Sequence, residues 1–379
     1  MQSSSPSPIW LVPQPAIDSL IKILIEENYR VVGPRVDQHA IIYDELNSSD
    51  DLPQNWCDTQ APGLYQLSNT KDQTNKKLFQ YNVGPHSWKK FLFPPISQLS
   101  PNIPSNPPPK PLALFGARAC ELAAIAIQDR VFINNQYCDP NYQLRRSNLF
   151  VVAVQCTTLA DTCFCTSMNT GPELPPTHNN QFDIALTELP DAAYLLRIGS
   201  QRGQEIANLL FKKYSPQLAS LDQLQSEKQT VAQVKSNMKR SLPTENLKEN
   251  LLKQLQNPHW DDVASRCLSC ANCTMVCPTC FCSSVDEVHD LTDESIYRQR
   301  RWDSCFNPDF SHTSGAPVRN TIRARYRQWV THKLATWFDQ FGSSGCVGCG
   351  RCITWCPVGI DLTAEVAKLV APTPEPNAP

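Results

Sequence analysis

The sequence predicts an α+β protein of several domains, with an α/β domain in its N-terminal part and an all-α domain in its C-terminal part. Apolar segments follow a strand–helix–strand order after residue 111, and apolar residues recur at helical spacing from residue 320 onwards. A four-cysteine motif also occurs twice in the last third of the chain. The length of 379 residues exceeds what a single hydrophobic core usually organises. We therefore expect a mixed α/β region at 1–100, an α/β domain at 101–215 and a helical domain at 216–379.

The first region combines a helical pattern with short strand patterns. The segment "PAIDSLIKILIEENY" has the apolar spacing of an amphipathic helix, and the apolar runs "RVVGP" and "HAIIYD" predict strands. The segment "PNIPSNPPPKP", residues 101–111, is expected to be a connector, because proline fits neither a helix interior nor a central strand.

The second region begins with a βαβ unit. The apolar runs "LALFG" and "NLFVVAV" have the length of buried strands, and "ARACELAAIAIQDRVF" between them has a helical pattern. We expect the two strands to be parallel and joined by a right-handed crossover.

Four cysteines follow the ends of these strands: Cys120, Cys156, Cys163 and Cys165. The carboxyl ends of parallel strands meet at one edge of a sheet, where such folds place ligands, so the four thiols could meet there. Their spacing fits no general ferredoxin rule, and a buried free cysteine often serves as a small hydrophobic residue. On spacing alone, a metal cluster and simple packing are both open.

A motif with the spacing C-x2-C-x2-C-x3-C-P occurs twice, and its two copies contain Cys267, Cys270, Cys273, Cys277 and then Cys346, Cys349, Cys352, Cys356. In proteins with two [4Fe–4S] clusters, the first three cysteines of such a motif hold one cluster and the fourth holds the other. We therefore predict one cluster on Cys267, Cys270, Cys273 and Cys356. The second cluster is predicted on Cys346, Cys349, Cys352 and Cys277.

Zinc is the weaker interpretation of this pair of motifs. A zinc ribbon needs two C-x2-C knuckles, but neither a third cysteine at the same spacing nor the following proline. The segments "ENLKENLLKQLQNP", "WDDVASRC" and "NTIRARYRQWVTHKLATWFDQFG" predict helices around the motifs. In the last of these, Tyr326, Trp329, Lys333 and Trp337 recur at helical spacing, and Gly342 predicts its end. We expect an all-α dicluster ferredoxin domain.

The composition restricts the compartment and the partners. Seventeen cysteines in a long chain without a secretory signal pattern indicate thiols kept reduced for metal binding, so we expect a cytoplasmic protein. Apolar runs are only strand-sized, and the net charge of −2 gives no basic field, so neither membrane nor nucleic acid is expected as a partner. A strand-to-helix G-x-G-x-x-G and a phosphate-binding loop are both missing, so another polypeptide must hold any flavin or pyridine nucleotide.

Seven short motifs together resemble one known family: "GARACEL", "DPNYQLRR", "CFCTSMNTGP", "FDIALTEL", "CPTCFC", "RWDSCF" and "CVGCGRCITWCPVGIDL". Their order and spacing are similar to those of the β subunit of cytoplasmic sulfhydrogenase-type [NiFe] hydrogenases. The corresponding iron–sulfur subunit of anaerobic sulfite reductase, a close relative, has the same pattern. The resemblance covers about residues 110 to 365.

The resemblance implies an electron-transfer iron–sulfur subunit. Its partners would be a subunit that binds flavin and NAD(P)H and the [NiFe] hydrogenase small and large subunits. The family also implies a third [4Fe–4S] cluster, whose ligands would be Cys120, Cys156, Cys163 and Cys165. After the first of these cysteines the family more usually has aspartate, where this chain has Glu121, so a carboxylate is kept. Five cysteines remain, Cys57, Cys138, Cys280, Cys282 and Cys305. The last three could line a cluster, donate S–H hydrogen bonds to it or simply pack, and we favour packing and supporting hydrogen bonds.

Two alternatives stand beside the hydrogenase interpretation. The chain could serve an anaerobic sulfite reductase, where the electrons would reach a sirohaem subunit. It could also be a structural iron–sulfur protein whose clusters only brace the fold, although its near-neutral charge counts against a nucleic-acid-binding form. We predict no residue of this chain as a general acid, base or nucleophile, so catalysis would belong to the whole complex.

Overall fold

The computed structural model describes residues 8–70, 77–82, 84–100, 110–177, 181–289 and 296–371. Its strands are β1 (Trp10–Pro13), β2 (Arg30–Asp37), β3 (Ala40–Glu45), β4 (Trp56–Ala61), β5 (Leu64–Asn69), β6 (Ile96–Ser100), β7 (Leu112–Ala117), β8 (Phe150–Val154), β9 (Ile184–Glu188), β10 (Ala193–Ile198), β11 (Gln217–Leu218), β12 (Ser283–His289) and β13 (Ile296–Trp302). Its helices are α1 (Pro15–Glu26), α2 (Lys89–Leu92), α3 (Ala119–Phe132), α4 (Pro140–Ser147), α5 (Gln201–Lys213), α6 (Leu221–Ser236), α7 (Leu247–Lys253), α8 (His259–Arg266), α9 (Asn272–Met275), α10 (Ile322–Thr331), α11 (Trp337–Phe341), α12 (Arg351–Thr354) and α13 (Leu362–Val370).

The largest sheet has eight strands in the order β11-β1-β10-β9-β8-β7-β2-β3. Its centre is parallel, because β2 pairs with β7, β7 with β8, and β8 with β9 in the same direction. The remaining strands of the sheet pair antiparallel at its two sides. A parallel centre is normally covered on both faces, and here helices cover both.

Strand β8 illustrates how the two faces of this sheet are filled. All five of its residues are buried, as expected for a strand with a hydrophobic layer on each side. Phe150, Val152 and Val154 belong to one core, together with residues of α1 and α5. Val151 and Ala153 belong to the opposite core, which contains residues of α2, α3 and α4. The alternation follows from the period of two in a β-strand.

The predicted elements of the N-terminal part are confirmed. The helix predicted in "PAIDSLIKILIEENY" is α1, and the strands predicted in "RVVGP" and "HAIIYD" are β2 and β3. The βαβ unit is confirmed as β7, α3 and β8, with the two strands parallel. Residues 101–109 of the predicted connector lie outside the described residues. Strands from 1–100 and from 101–215 share the large sheet, while the domain boundaries as such stay predictions.

The predicted C-terminal helices are also confirmed, as α7, α8, and α10 with α11. A π-helical segment, His332–Thr336, joins α10 to α11, and Gly342 ends α11 in the left-handed conformation at φ +69°. The core of this part combines Leu251, Trp260 and Val366 with aromatic residues of α10. Within the described residues, the helices are all too short or too polar to cross a membrane.

The expectation of an all-α C-terminal domain is wrong in one respect. Strands β12 and β13 form an antiparallel hairpin between the two cysteine motifs, and β13 also pairs with β6. The physical reason is that exposed and half-buried residues alternate along β12, which is the two-residue period of a β-strand. Only one face of the hairpin is therefore covered. The third strand comes from the N-terminal part, almost two hundred residues earlier in the chain.

Candidate iron–sulfur centres

The first candidate centre is a cleft that encloses about 460 Å³ of space, part of it open to solvent. Four of the cysteines that line it are Cys267, Cys270, Cys273 and Cys356. The first three come from the loop between α8 and α9 and from α9 itself, and the fourth follows α12. The structure thus brings together the four thiols that the spacing assigned to one cluster. Cys352 lines the same cleft.

Two buried side chains of α10 bear on what this cleft can hold. Tyr326 and Trp329 line the cleft, and neither Tyr326 Oη nor Trp329 Nε1 has a hydrogen-bond partner in the described part of the chain. Buried polar groups are normally satisfied, so unpartnered donors on two lining residues indicate an acceptor that the polypeptide does not supply. The sulfur atoms of an iron–sulfur cluster are such acceptors, and thiols are the ligands that such a cluster needs. These residues therefore fit the group.

The second candidate centre is a smaller cavity beside the first, with about 310 Å³ of space, part of it open to solvent. Its cysteines are Cys277, Cys346, Cys349 and Cys352, which are the four thiols that the spacing assigned to the other cluster. Gly348 and Gly350 of this loop adopt left-handed backbone angles, φ +64° and +74°. Such angles suit glycine and let the loop curve around the cavity.

Two buried cations lie beside the second cavity. The Lys333 ammonium donates to Cys277 Sγ at 3.3 Å, and Lys333 is 3% exposed. Burial tends to lower the pKa of Lys333, but the neighbouring Cys277, with smaller contributions from Cys280 and Cys346, raises it well above its usual range. Burial raises the pKa of Cys349, and the Arg351 guanidinium opposes that effect. The cavity therefore has positive charge on the side where thiolates would gather.

The four N-terminal cysteines lie near one another at the edge where β7 and β8 end. Cys120 is in the first turn of α3, directly beyond β7, and Cys156 follows β8. Burial raises the pKa of Cys120 well above its usual range, and the charges of Cys349, Cys165 and Cys156 raise it further. Burial also raises the pKa of Cys163 to about 12, with a contribution from Cys156. The sheet edge thus gathers these thiols as its topology predicts.

Arg118 and Glu121 organise this edge at the start of α3. Arg118 donates to the carbonyl oxygens of Phe79 and Tyr81 and lowers the pKa of Cys156 against the larger effect of burial. Glu121 is 1% exposed and accepts hydrogen bonds from the Tyr43 hydroxyl and the Arg118 amide.

Glu121 also pairs with Arg351 Nη2 at 2.6 Å. Both side chains of this ion pair are almost completely buried. The pair links α3 of the N-terminal part to α12 of the second cysteine motif. The sequence analysis noted only that a carboxylate is kept at position 121 and did not identify its partner.

The loop that carries Cys163 and Cys165 packs directly on the second cysteine motif. Phe164 N donates to Gly348 O at 2.8 Å, and Cys163 Sγ lies 4.0 Å from Cys349 O. A Cβ atom on Gly350 would lie 2.4 Å from Thr162 O, so the two backbones approach as closely as glycine allows. The N-terminal thiols therefore adjoin the second cavity.

Shared residues give the order of the three thiol sets. Cys352 and Trp329 line both cavities, so the first and second are adjacent. Phe164, which lies between Cys163 and Cys165, lines the second cavity. The second cavity therefore lies between the first cleft and the N-terminal thiols.

The five other cysteines fall into two groups. Cys280, Cys282 and Cys305 lie around the first motif, and the Cys277 thiolate raises the pKa of Cys280 well above its usual range. Cys57 lies on β4 and contacts Ser68 Oγ at 3.3 Å, whereas Cys138 is exposed and donates to Gln143. Neither Cys57 nor Cys138 lines the two cavities.

Comparison with known proteins agrees with this geometry. The family described as "4Fe-4S dicluster domain" matches residues 266–360, which include both cysteine motifs. The sulfhydrogenase 2 subunit beta of Pyrococcus furiosus is 30% identical over 342 residues, covering 89% of this chain and 91% of that protein. The match extends far beyond the dicluster segment and includes most of the large sheet. The chain therefore belongs to the sulfhydrogenase β-subunit family of proteins that carry [4Fe–4S] clusters.

Proposed function

We propose that this chain relays electrons between a subunit that binds flavin and NAD(P)H and the [NiFe] hydrogenase small and large subunits of one complex. Its family membership supports the coarser statement, an iron–sulfur electron-transfer subunit of a multi-subunit, hydrogenase-type complex. The name of the relative, a sulfhydrogenase subunit, favours hydrogenase partners over a sirohaem sulfite reductase.

The observation that carries the proposal is the adjacency of three thiol sets. Cys352 lines both cavities, and the backbone at Phe164 bonds to the backbone at Gly348. A relay needs neighbouring redox centres, whereas clusters that only brace a fold have no need to be adjacent. The order is the first cleft, the second cavity and the N-terminal set.

The proposal assigns the twelve ligands to three [4Fe–4S] clusters. The first would be held by Cys267, Cys270, Cys273 and Cys356, the second by Cys346, Cys349, Cys352 and Cys277, and the third by Cys120, Cys156, Cys163 and Cys165. Each cluster supplies one-electron exchange at a potential set by charge, hydrogen bonds and solvent exposure. The chain's own residues would bind the clusters, keep them adjacent and bury most of the thiols of the second and third sets.

Iron analysis tests the number of clusters. We expect about twelve iron atoms per chain after anaerobic reconstitution, because three cubanes hold four each. The Cys163→Ser variant should retain about eight, and the matched variant Cys57→Ser should retain all of them. A wild-type value near eight would remove the third cluster and leave the four N-terminal thiols as packing residues.

A separate experiment tests whether the fourth cysteine of each motif holds the cluster of the other motif. Cys356→Ser should alter the EPR signal of the cluster on Cys267, because Cys356 lines the first cleft although it belongs to the second motif. The signal of the cluster on Cys346 should stay unchanged. Loss of the Cys346 signal with an intact Cys267 signal would show that each motif holds its own cluster.

Copurification identifies the partners. Anaerobic isolation of the tagged chain should recover polypeptides that contain flavin and nickel. Recovery of a sirohaem protein in their place would assign the chain to a sulfite reductase. A chain isolated alone, with clusters that no low-potential donor can reduce, would support the bracing role.

A further inference from the structure

Lys333 is a buried, charged side chain that lines the second cavity. Its ammonium group contacts three acceptors: Cys277 Sγ at 3.3 Å, Thr279 Oγ1 at 3.0 Å and Gly345 O at 2.9 Å. The Thr279 hydroxyl donates a hydrogen bond to Gly345 O at 2.5 Å, so its oxygen is free to accept the hydrogen bond from Lys333. Three acceptors match the three donors of an ammonium group, which has no acceptor of its own. The geometry is therefore that of a protonated lysine.

The backbone of Lys333 is held next to the second cysteine motif. Lys333 belongs to the π-helical segment His332–Thr336, and such segments are rare and often found at functional sites. Gly345 N donates to Lys333 O at 2.8 Å, which ties the segment to the residue just before Cys346. The same lysine thus contacts the end of the first cysteine motif and the beginning of the second.

We propose that Lys333 sets the reduction potential of the cluster held by Cys277, Cys346, Cys349 and Cys352, and makes this cluster easier to reduce. The inference rests on the proposed function for the ligand set. Reduction adds one negative charge to a cluster, and hydrogen bonds to its sulfurs and nearby charge tune its potential. A positive charge that donates directly to a ligating sulfur stabilises the reduced form more than the oxidised form. Lys333 acts through Cys277, as a positioning residue, and exchanges no electron itself.

Lys89 provides a matched control in the same neighbourhood. It is 4% exposed, but its ammonium group donates to the carbonyl oxygens of Cys280 and Met275, at 3.1 Å and 3.5 Å. It also lies over the Trp302 ring, 3.9 Å from the ring centroid. Lys89→Met thus removes a buried ammonium that bonds to backbone oxygen, whereas Lys333→Met removes one that bonds to a ligating sulfur.

The experiment is an EPR-monitored redox titration of the full, anaerobically reconstituted chain. Lys333→Met should make reduction of one cluster at least tenfold less favourable, a shift of about 59 mV to more negative potential for one electron. Cys277→Ser identifies which EPR signal belongs to that cluster. The other two signals should keep their potentials, and Lys89→Met should shift the same signal by less. An unshifted potential, a shift shared by all three clusters, or an equal shift in Lys89→Met would overturn the inference.

A second measurement covers the case in which Lys333→Met fails to hold its clusters. Pulsed EPR of the wild-type holoprotein labelled with 15N-lysine should show a 15N coupling on the signal assigned by Cys277→Ser. The absence of that coupling would refute the inference. Iron content distinguishes failure of the proposed function from failure of the role of Lys333. A wild-type chain without this cluster refutes the proposed function. Intact clusters without a 15N coupling or a shift in potential refute only the role of Lys333.

Discussion

The buried pair Glu121–Arg351 should dominate the contact between the N-terminal part and the second cysteine motif. Three donors converge on the Glu121 carboxylate: the Tyr43 hydroxyl at 2.6 Å, the Arg118 amide at 3.1 Å and Arg351 Nη2 at 2.6 Å. Glu121→Gln removes the negative charge and places an amide donor among these donors. It leaves the Arg351 guanidinium, which is 1% exposed, without its ionic partner.

The expected cost follows from this burial. Removing one partner of a buried ion pair typically costs about 3–5 kcal/mol, a large part of a total stability that is commonly about 5–15 kcal/mol. We expect a loss of this size in urea unfolding of the anaerobic holoprotein, followed by circular dichroism. The matched control is Glu173→Gln, whose partner Lys235 is 44% exposed and whose own side chain is 63% exposed. This control should cost less than about 1 kcal/mol.

The double variant Glu121→Gln with Arg351→Met decides whether the pair itself is responsible. Because it removes the stranded charge, it should be more stable than the sum of the two single losses predicts. A coupling energy in the range of about 0.5–3 kcal/mol is usual for contacting residues. Equal losses in Glu121→Gln and Glu173→Gln, or strict additivity in the double variant, would refute the reasoning.

The remaining predictions concern three other contacts. Gly350→Ala should weaken binding of the second and third clusters, because its Cβ would lie 2.4 Å from Thr162 O. The matched control is Gly342→Ala, since Gly342 has a similar backbone angle, φ +69°, but open space around the position of a Cβ. Equal iron loss in the two variants would contradict this reasoning. Tyr326→Phe should leave the apoprotein as stable as the wild type, since Tyr326 Oη lacks a partner among the described residues. It should shift the first cluster to more negative potential, because it removes a hydrogen-bond donor to that cluster. An unchanged EPR titration would contradict this. Burial, with the charges of Lys90 and Arg351, lowers the pKa of His86 to about 4, below its unfolded value of about 6.5. His86 therefore contributes stability above pH 6.5 that is lost as the pH falls towards 4. His86→Gln should reduce the loss of stability between pH 7 and pH 4.5, measured as urea midpoints at the two pH values. A loss of stability as large as that of the wild type would contradict this.

Local patterns in the sequence predicted most of the elements that position the site. Apolar runs of strand length gave β7 and β8, a 3.6-residue period gave α1 and α10, and a longer run of helix-forming residues between the two strands gave α3. Cysteine spacing grouped the same eight C-terminal thiols that line the two cavities. Each of these signals lies within a short window, where the period of the side chains reports the local backbone conformation directly.

The hairpin of β12 and β13 could not be predicted in the same way. Several of its residues are charged, such as Asp286, Glu287 and Arg298, and only one face is covered. Its third strand, β6, precedes β13 by almost two hundred residues in the sequence, so no local window contains both pairing partners. Strand pairing over such a separation depends on tertiary contacts, not on local propensity.

The partners of the buried residues Lys333 and Glu121 could not be predicted from the sequence. Lys333 occupies a position in an otherwise apolar helical stripe, but the stripe does not identify the acceptors of its ammonium group. Its acceptors, Cys277, Thr279 and Gly345, come from both cysteine motifs and meet only in the folded chain. The same holds for Glu121, whose partner Arg351 is 230 residues away.

The contacts that hold the three thiol sets together also couple their stability. The second cavity takes its cysteines from the C-terminal third, yet Phe164 completes its wall and Glu121 binds the arginine beside Cys349. Loss of the N-terminal contacts would therefore open the second cavity, although none of its own ligands had changed. Destabilisation at position 121 should accordingly appear first as iron loss from the second and third clusters. The first cluster, whose cleft is built from the C-terminal helices, should be retained longest.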